Sequence, residues 1–133
     1  MIEGECNCGA VVYKVDSKIS DIFICHCSIC RKSTGSGGIA VSIVASNKFS
    51  WVRGQDSISN WSKPEHDWHT YFCRVCGSAL PGENDELHMY LPVGTITVGH
   101  ENLKVAHHLY VNSKASWEEI GDEGKQHPKG YGV

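Results

Sequence analysis

The residues able to do chemistry in this chain are its seven cysteines, at positions 6, 8, 25, 27, 30, 73 and 76, each spaced as CxC or CxxC with another. An odd total in tight clusters argues against a disulfide framework. Residues two apart are poorly placed to bridge one another, and a reducing compartment keeps thiols free. Thiols in such clusters serve as thiolate ligands to metal ions. The segment CHCSICRKSTG, Cys25 to Gly35, carries three of them within six residues. That is one short of the four that close a tetrahedral site.

The spacing suggests how the sulfurs divide. On a strand, side chains two apart share a face, so Cys6 and Cys8 can converge on one ion, and a turn through CRVCG does the same for Cys73 and Cys76. Gly9 and Gly77 follow these pairs and let the backbone curl towards sulfur. Cys6, Cys8, Cys73 and Cys76 together make a four-thiolate site, read as a structural zinc that cross-links segments more than sixty residues apart. A competing partition joins Cys6 and Cys8 to two of the central thiols and leaves Cys73 and Cys76 as a redox pair. In the first partition Cys25, Cys27 and Cys30 hold a second zinc with one position open, the arrangement of catalytic sites. Four thiolates around Zn²⁺ leave an electron-rich, inert centre; three leave a soft site that accepts a further thiolate better than it activates water. A low-molecular-weight thiol is therefore the expected visitor, and Cys25, Cys27 and Cys30 are the candidate catalytic residues.

These sulfurs must be positioned by short elements, because no segment sustains helical periodicity and β-rich runs alternate with turn clusters. The pattern predicts a mainly β fold with strands over 10–16, 21–25, 38–45, 49–53, 57–61, 68–73, 87–91 and 105–111. One helical turn is expected over 113–120, where a serine precedes Glu118 and Glu119. KSTGSGG (32–38) and PGEND (81–85) read as connections, and GDEGKQHPKGYGV from about residue 122 as a loosely held tail. A length of 133 residues suits a single domain over 1–133.

Hydrophobic residues make up 41% and charged residues 20%, enough apolar matter for one modest core. The net charge of −3 gives no electrostatic reason to bind nucleic acid or an anionic membrane. No apolar run reaches the ~20 residues of a membrane span and no secretory leader is evident, so a cytoplasmic protein is expected. His26, between two ligands, could act as acid or base, but the middle residue of a CxC segment usually points away from the metal. Arg31 and Lys32 could receive an anionic substrate, though adjacent cations are more often simply solvated. His107 and His108 alternate faces on a strand, so one at most looks inward. Trp61, Trp68, Tyr71, Phe72 and Tyr90 read as core or sheet-face residues that could also line a pocket. The SxxE pattern of Ser116 to Glu119 reads as local capping.

Four stretches in this order, GECNCGAVVYKV, CHCSICRKSTGS, YFCRVCGSAL and HLYVNSKASWEEI, resemble the signatures of the glutathione-dependent formaldehyde-activating enzyme family, shared with the centromere protein V domain. The resemblance runs from Gly4 to about Asp122. It implies a β-tent (Mss4-like) fold of coiled antiparallel sheets, a structural zinc on Cys6, Cys8, Cys73 and Cys76, and a more labile zinc on Cys25, Cys27 and Cys30. It also implies a carbon–sulfur lyase that joins glutathione, or a similar small thiol, to formaldehyde or another small aldehyde. The chain departs from the family where HTYFC carries Thr70 in place of a basic residue. Two other classes fit the same residues: a non-catalytic zinc-stabilised binding module, and a thiol switch in which the central trio loses metal and oxidises.

Overall fold

Runs such as DIFIC and FSWVR, dense in β-branched and aromatic residues and too short for helices, set the architecture. The computed structural model describes residues 1–132. In chain order its elements are β1 (Ile2–Glu5), β2 (Val12–Val15), β3 (Asp21–Cys25), α1 (Ser28–Thr34), β4 (Ile39–Ala45), β5 (Phe49–Arg53), β6 (Ile58–Ser62), β7 (His69–Cys73), β8 (Gly82–Glu83), β9 (His88–Pro92), β10 (Ile96–Val98), β11 (Lys104–Leu109) and β12 (Lys125–Gln126). They fall into two compact units: Met1–Ile19 with Ile43–Asn102, and Ser20–Ser42 with the chain from Leu103 onward.

In the first unit, an antiparallel sheet runs in the order β10-β1-β2-β5, joined by the pairs β6-β7 and β8-β9. Burial alternates along β1, with Ile2 and Gly4 inside and Glu3 and Glu5 outside, as a half-buried strand requires. On β2 the inward residues are Tyr13 and Val15. The Tyr13 ring stacks on Phe49 at 5.6 Å and meets Trp51 edge-on at 6.3 Å, while its hydroxyl lies 2.7 Å from Thr95 Oγ1. A large apolar body is thus buried with its polar end satisfied. A second cluster, Cys6, Val11, Cys73 and Leu80, is flanked by Trp51, Ile58 and Tyr71 and seats two members of the first cysteine group, Cys6 and Cys73, in the core, while Cys8 is exposed.

In the second unit β3 pairs antiparallel with β4 but parallel with β11, and β11 pairs parallel with β12. The antiparallel pattern implied by the family resemblance therefore describes the first unit, and this one is mixed. The helix lies elsewhere than expected. Residues 113–120 hold no α-helix, and the nearby 3-10 turn over Val111–Ser113 overlaps them only at Ser113, whereas Ser28–Thr34 is helical and absorbs the first part of the KSTGSGG stretch. The cause is local capping: Cys27 is extended and its sulfur accepts the Cys30 N–H, and Gly35 at φ 65° ends the helix by donating its N–H to Arg31 O. PGEND contributes β8, with Pro81 and Gly82 buried. The segment read as a loose tail forms β12 and buries His127, whose N–H donates to His108 O at 2.8 Å. β1 and β10 were not expected, because IEGE and ITV are too short and too mixed to show a period. No helix among the described residues is long and apolar enough to cross a membrane.

Candidate metal centres

The first cysteine group is built on two matching turns. Cys6 lies just beyond β1 and Cys8 within a tight turn, not along a strand as the spacing suggested. Gly9, at φ 77°, returns its N–H to Cys6 O at 3.0 Å; Gly77, also at φ 77°, returns its N–H to Cys73 O at 2.8 Å. Each turn thus needs a residue that tolerates the left-handed region. The sulfurs of Cys6, Cys8, Cys73 and Cys76 all lie within 4.8 Å of one another, with Cys6 to Cys8 at 3.6 Å and Cys8 to Cys73 at 3.8 Å. The competing partition, with Cys6 and Cys8 joined to the central thiols, is not the one observed.

The surroundings of these four sulfurs suit a cation. The Val11 N–H donates to Cys6 Sγ at 3.3 Å, and Ser78 Oγ sits 3.2 Å from Cys76 Sγ. The Ser78 hydroxyl and N–H pull the Cys76 thiol down to about 5. Cys8 is pushed up to about 11: the Ala10 N–H draws it down, but desolvation and the neighbouring sulfurs outweigh that. Crowded thiols that cannot all ionise together are what a divalent ion relieves, by making every one a thiolate.

The second group uses three consecutive pieces of structure. Cys25 ends β3, Cys27 caps α1 and Cys30 sits in its first turn, which brings all three sulfurs within 4.8 Å of one another. Among the described residues no fourth Cys, His, Asp or Glu ligand atom joins them. A hydrogen bond with Cys30 lowers the Cys25 thiol to about 6, and the same bond together with burial pushes Cys30 up. Both groups could hold a metal ion, and all-sulfur donors favour zinc over harder cations.

Behind this second group lies a side-chain chain that sequence reading missed. His26 is fully buried, its Nε2 2.8 Å from His108 Nδ1, and His108 Nε2 is 2.8 Å from Asp122 Oδ1. Asp122 Oδ1 also accepts the Gly124 N–H at 2.8 Å. Glu118 Oε2 stands 3.7 Å from His26 Nδ1, and both atoms are buried without a hydrogen-bond partner. Burial pulls the His26 imidazole below its usual range, against the opposing effect of Glu118, and the bond from His108 holds the Asp122 carboxyl low. Of the strand histidines, His108 is the buried one; His107 is half-buried, stacked on Phe23 at 5.0 Å with its Nδ1 2.9 Å from His127 Nε2. Arg31 Nε donates to His26 O at 3.3 Å, and Lys32 is exposed. Tyr71 and Trp51 line an open groove of about 300 Å³ in the first unit, while Trp61 is surface-exposed.

The profile of the family described as "Glutathione-dependent formaldehyde-activating enzyme" matches residues 1–113. A curated protein of Halomonas elongata, named provisionally for that same activity, is 32% identical over 130 residues, covering 90% of this chain and 81% of the relative. Among solved structures, a crystal structure of a Rhodobacter sphaeroides protein shares the fold, with a TM-score of 0.56 and 22% identity over 70% of this chain and 85% of that one.

Proposed function

The chain belongs to the glutathione-dependent formaldehyde-activating enzyme family, and from that premise we propose that it is a zinc-dependent enzyme of the carbon–sulfur lyase type, joining a small thiol such as glutathione to formaldehyde or a similar aldehyde. The reaction is an addition: the thiol sulfur bonds to the carbonyl carbon, the C=O π pair becomes an oxygen lone pair, and the proton lost by the thiol ends on that oxygen. Nothing is oxidised. The observation that supports this reading is the convergence of Cys25, Cys27 and Cys30 without a fourth ligand atom from the described residues. Zn²⁺ held by these three thiolates would supply a soft, positive partner that keeps a substrate sulfur ionised at neutral pH.

The chain's own groups do the rest. Cys25, with its thiol lowered to about 6, is ready to ligate at neutral pH, and the cap geometry of Cys27 fixes its sulfur against the Cys30 N–H. Arg31 and Lys32 give the last turn of the same helix two cations for a carboxylate on the incoming thiol. Cys6, Cys8, Cys73 and Cys76 take the structural zinc and tie together two turns 65 residues apart. A reducing, cytoplasmic setting would keep all seven thiols available.

The test is zinc stoichiometry on reduced, metal-replete protein, together with adduct formation measured above the spontaneous reaction. Wild type is expected to hold two zinc ions and Cys27→Ser one, with the catalysed rate lost and the fold retained. A wild-type rate no faster than background, or a Cys27→Ser variant that keeps both ions and full activity, would refute the proposal.

A further inference from the structure

We propose that Asp122 and Glu118 are positioning residues that aim the central cysteines through the buried pair His26 and His108. This rests on the reading of Cys25, Cys27 and Cys30 as a metal-holding trio. His26 stands between two of those cysteines and is fixed on every side: its N–H donates to Leu109 O at 2.9 Å, its carbonyl accepts from Arg31 Nε, and its ring bonds to His108. A CxC segment whose middle residue cannot turn holds the directions of both flanking sulfurs.

Hydrogen-bond polarity runs one way along this chain. The Asp122 carboxylate only accepts, so His108 Nε2 donates to it and, in the neutral ring, His108 Nδ1 is left as an acceptor. His26 Nε2 must then be the donor to His108, which leaves a lone pair on His26 Nδ1. That lone pair faces another acceptor, Glu118 Oε2, which accounts for the 3.7 Å gap and for both atoms lacking a partner. Glu118 nevertheless stays wedged in place. Its carboxylate fills the space that a side chain at Gly37 would need, and Gly38 beside it packs against Cys25 O. The wedge and the relay thus reach the trio's segment through Gly37, Gly38 and His26.

Both carboxylates come from beyond residue 113, outside the stretch matched by the family profile. The trio, His26 and His108 lie within that stretch, while Asp122 and Glu118 are supplied by the C-terminal segment. Burying polar groups is unfavourable unless they are hydrogen-bonded, and the buried His108 Nε2 finds its acceptor in Asp122.

The test compares wild type, Asp122→Ala, Asp122→Asn and Glu118→Ala as reduced, zinc-replete protein. Zinc release to a competing chelator and amide hydrogen exchange are read on each. Asp122→Ala is expected to weaken the looser zinc by roughly 10–100-fold and to quicken exchange over 25–30, leaving the tighter zinc and exchange over 71–80 unchanged. Asp122→Asn, which keeps an acceptor for His108, is expected to stay within about threefold of wild type, with Glu118→Ala between the two. An unchanged looser zinc in Asp122→Ala, or equal loss from both sites, overturns the proposal. A wild type that binds one zinc defeats the functional reading instead. Exchange then decides alone: quickening confined to 25–30 upholds the positioning role, and none rejects it. Should Asp122→Ala fail to fold, Glu118→Ala decides by the same two readouts, with weakening of the looser zinc as support and its absence as rejection.

Discussion

A single atom type decides the turns that carry the first cysteine group: the Cβ that Gly9 and Gly77 lack. Both sit at φ 77°, where an added Cβ crowds the following carbonyl. Gly77→Ala is expected to cost about 1 kcal/mol in urea unfolding, and to loosen zinc at Cys73 and Cys76 in the same samples. An unchanged midpoint would show that the turn relaxes at no cost. This feature was legible in the sequence, because CxCG and CxxCG each end on the one residue that closes such a turn. The His26, His108 and Asp122 chain was not. Its members are separated by 82 and 14 residues, and nothing in local spacing says which distant side chain a histidine will meet. His26 between two cysteines and His108 on its strand stand out singly in the sequence, but strand alternation only turns His26 away from the metal and allows one inward histidine, without pairing the two.

Elements with a strong composition were read nearly to the residue, as at Asp21–Cys25 and Phe49–Arg53, where aromatic and branched side chains pack on a pleated surface. The helix was missed for a physical reason. Seven residues give under two turns, too few for a hydrophobic period, and Ser33 and Thr34 at its C-terminal end, followed by Gly35, have the composition of a loop. Its existence depends on a sulfur cap and a left-handed glycine, neither of which a periodicity scan detects. β2 shows the opposite case, an element whose anchor is one side chain. Tyr13→Phe keeps the stacking on Phe49 and removes only the hydroxyl shared with Thr95. Its expected cost is about 1 kcal/mol by thermal or chemical unfolding, with no change in zinc content. A loss of zinc in this variant would mean that the sheet and the first cysteine group are coupled through Trp51, which borders both.

The histidines and carboxylates with shifted proton affinities lean one way. Burial holds His26 and His127 below the usual histidine range. Asp85 is held below the carboxylate range by the Leu87 N–H and then His88, and Asp122 by His108. Each takes up a proton less readily folded than unfolded, so the unfolded chain binds more protons as pH falls. The histidine contribution is complete above the unfolded value of 6.5 and is lost as pH drops through the lowered folded values; the carboxylate contribution follows below 3.8. The melting temperature is therefore expected to decline as pH falls below about 6.5, and a rise on acidification would contradict these directions. The paired cysteine turns have a further consequence for a broken chain. Residues 63–67, between β6 and β7, form an exposed connection in which Glu65 adopts φ 67°, an accessible place for a protease to cut. Such a nick would leave Cys6 and Cys8 on one fragment and Cys73 and Cys76 on the other. With an ion clasped between them the two pieces would travel together through a sizing column in moderate urea, and a chelator, not a reductant, would part them.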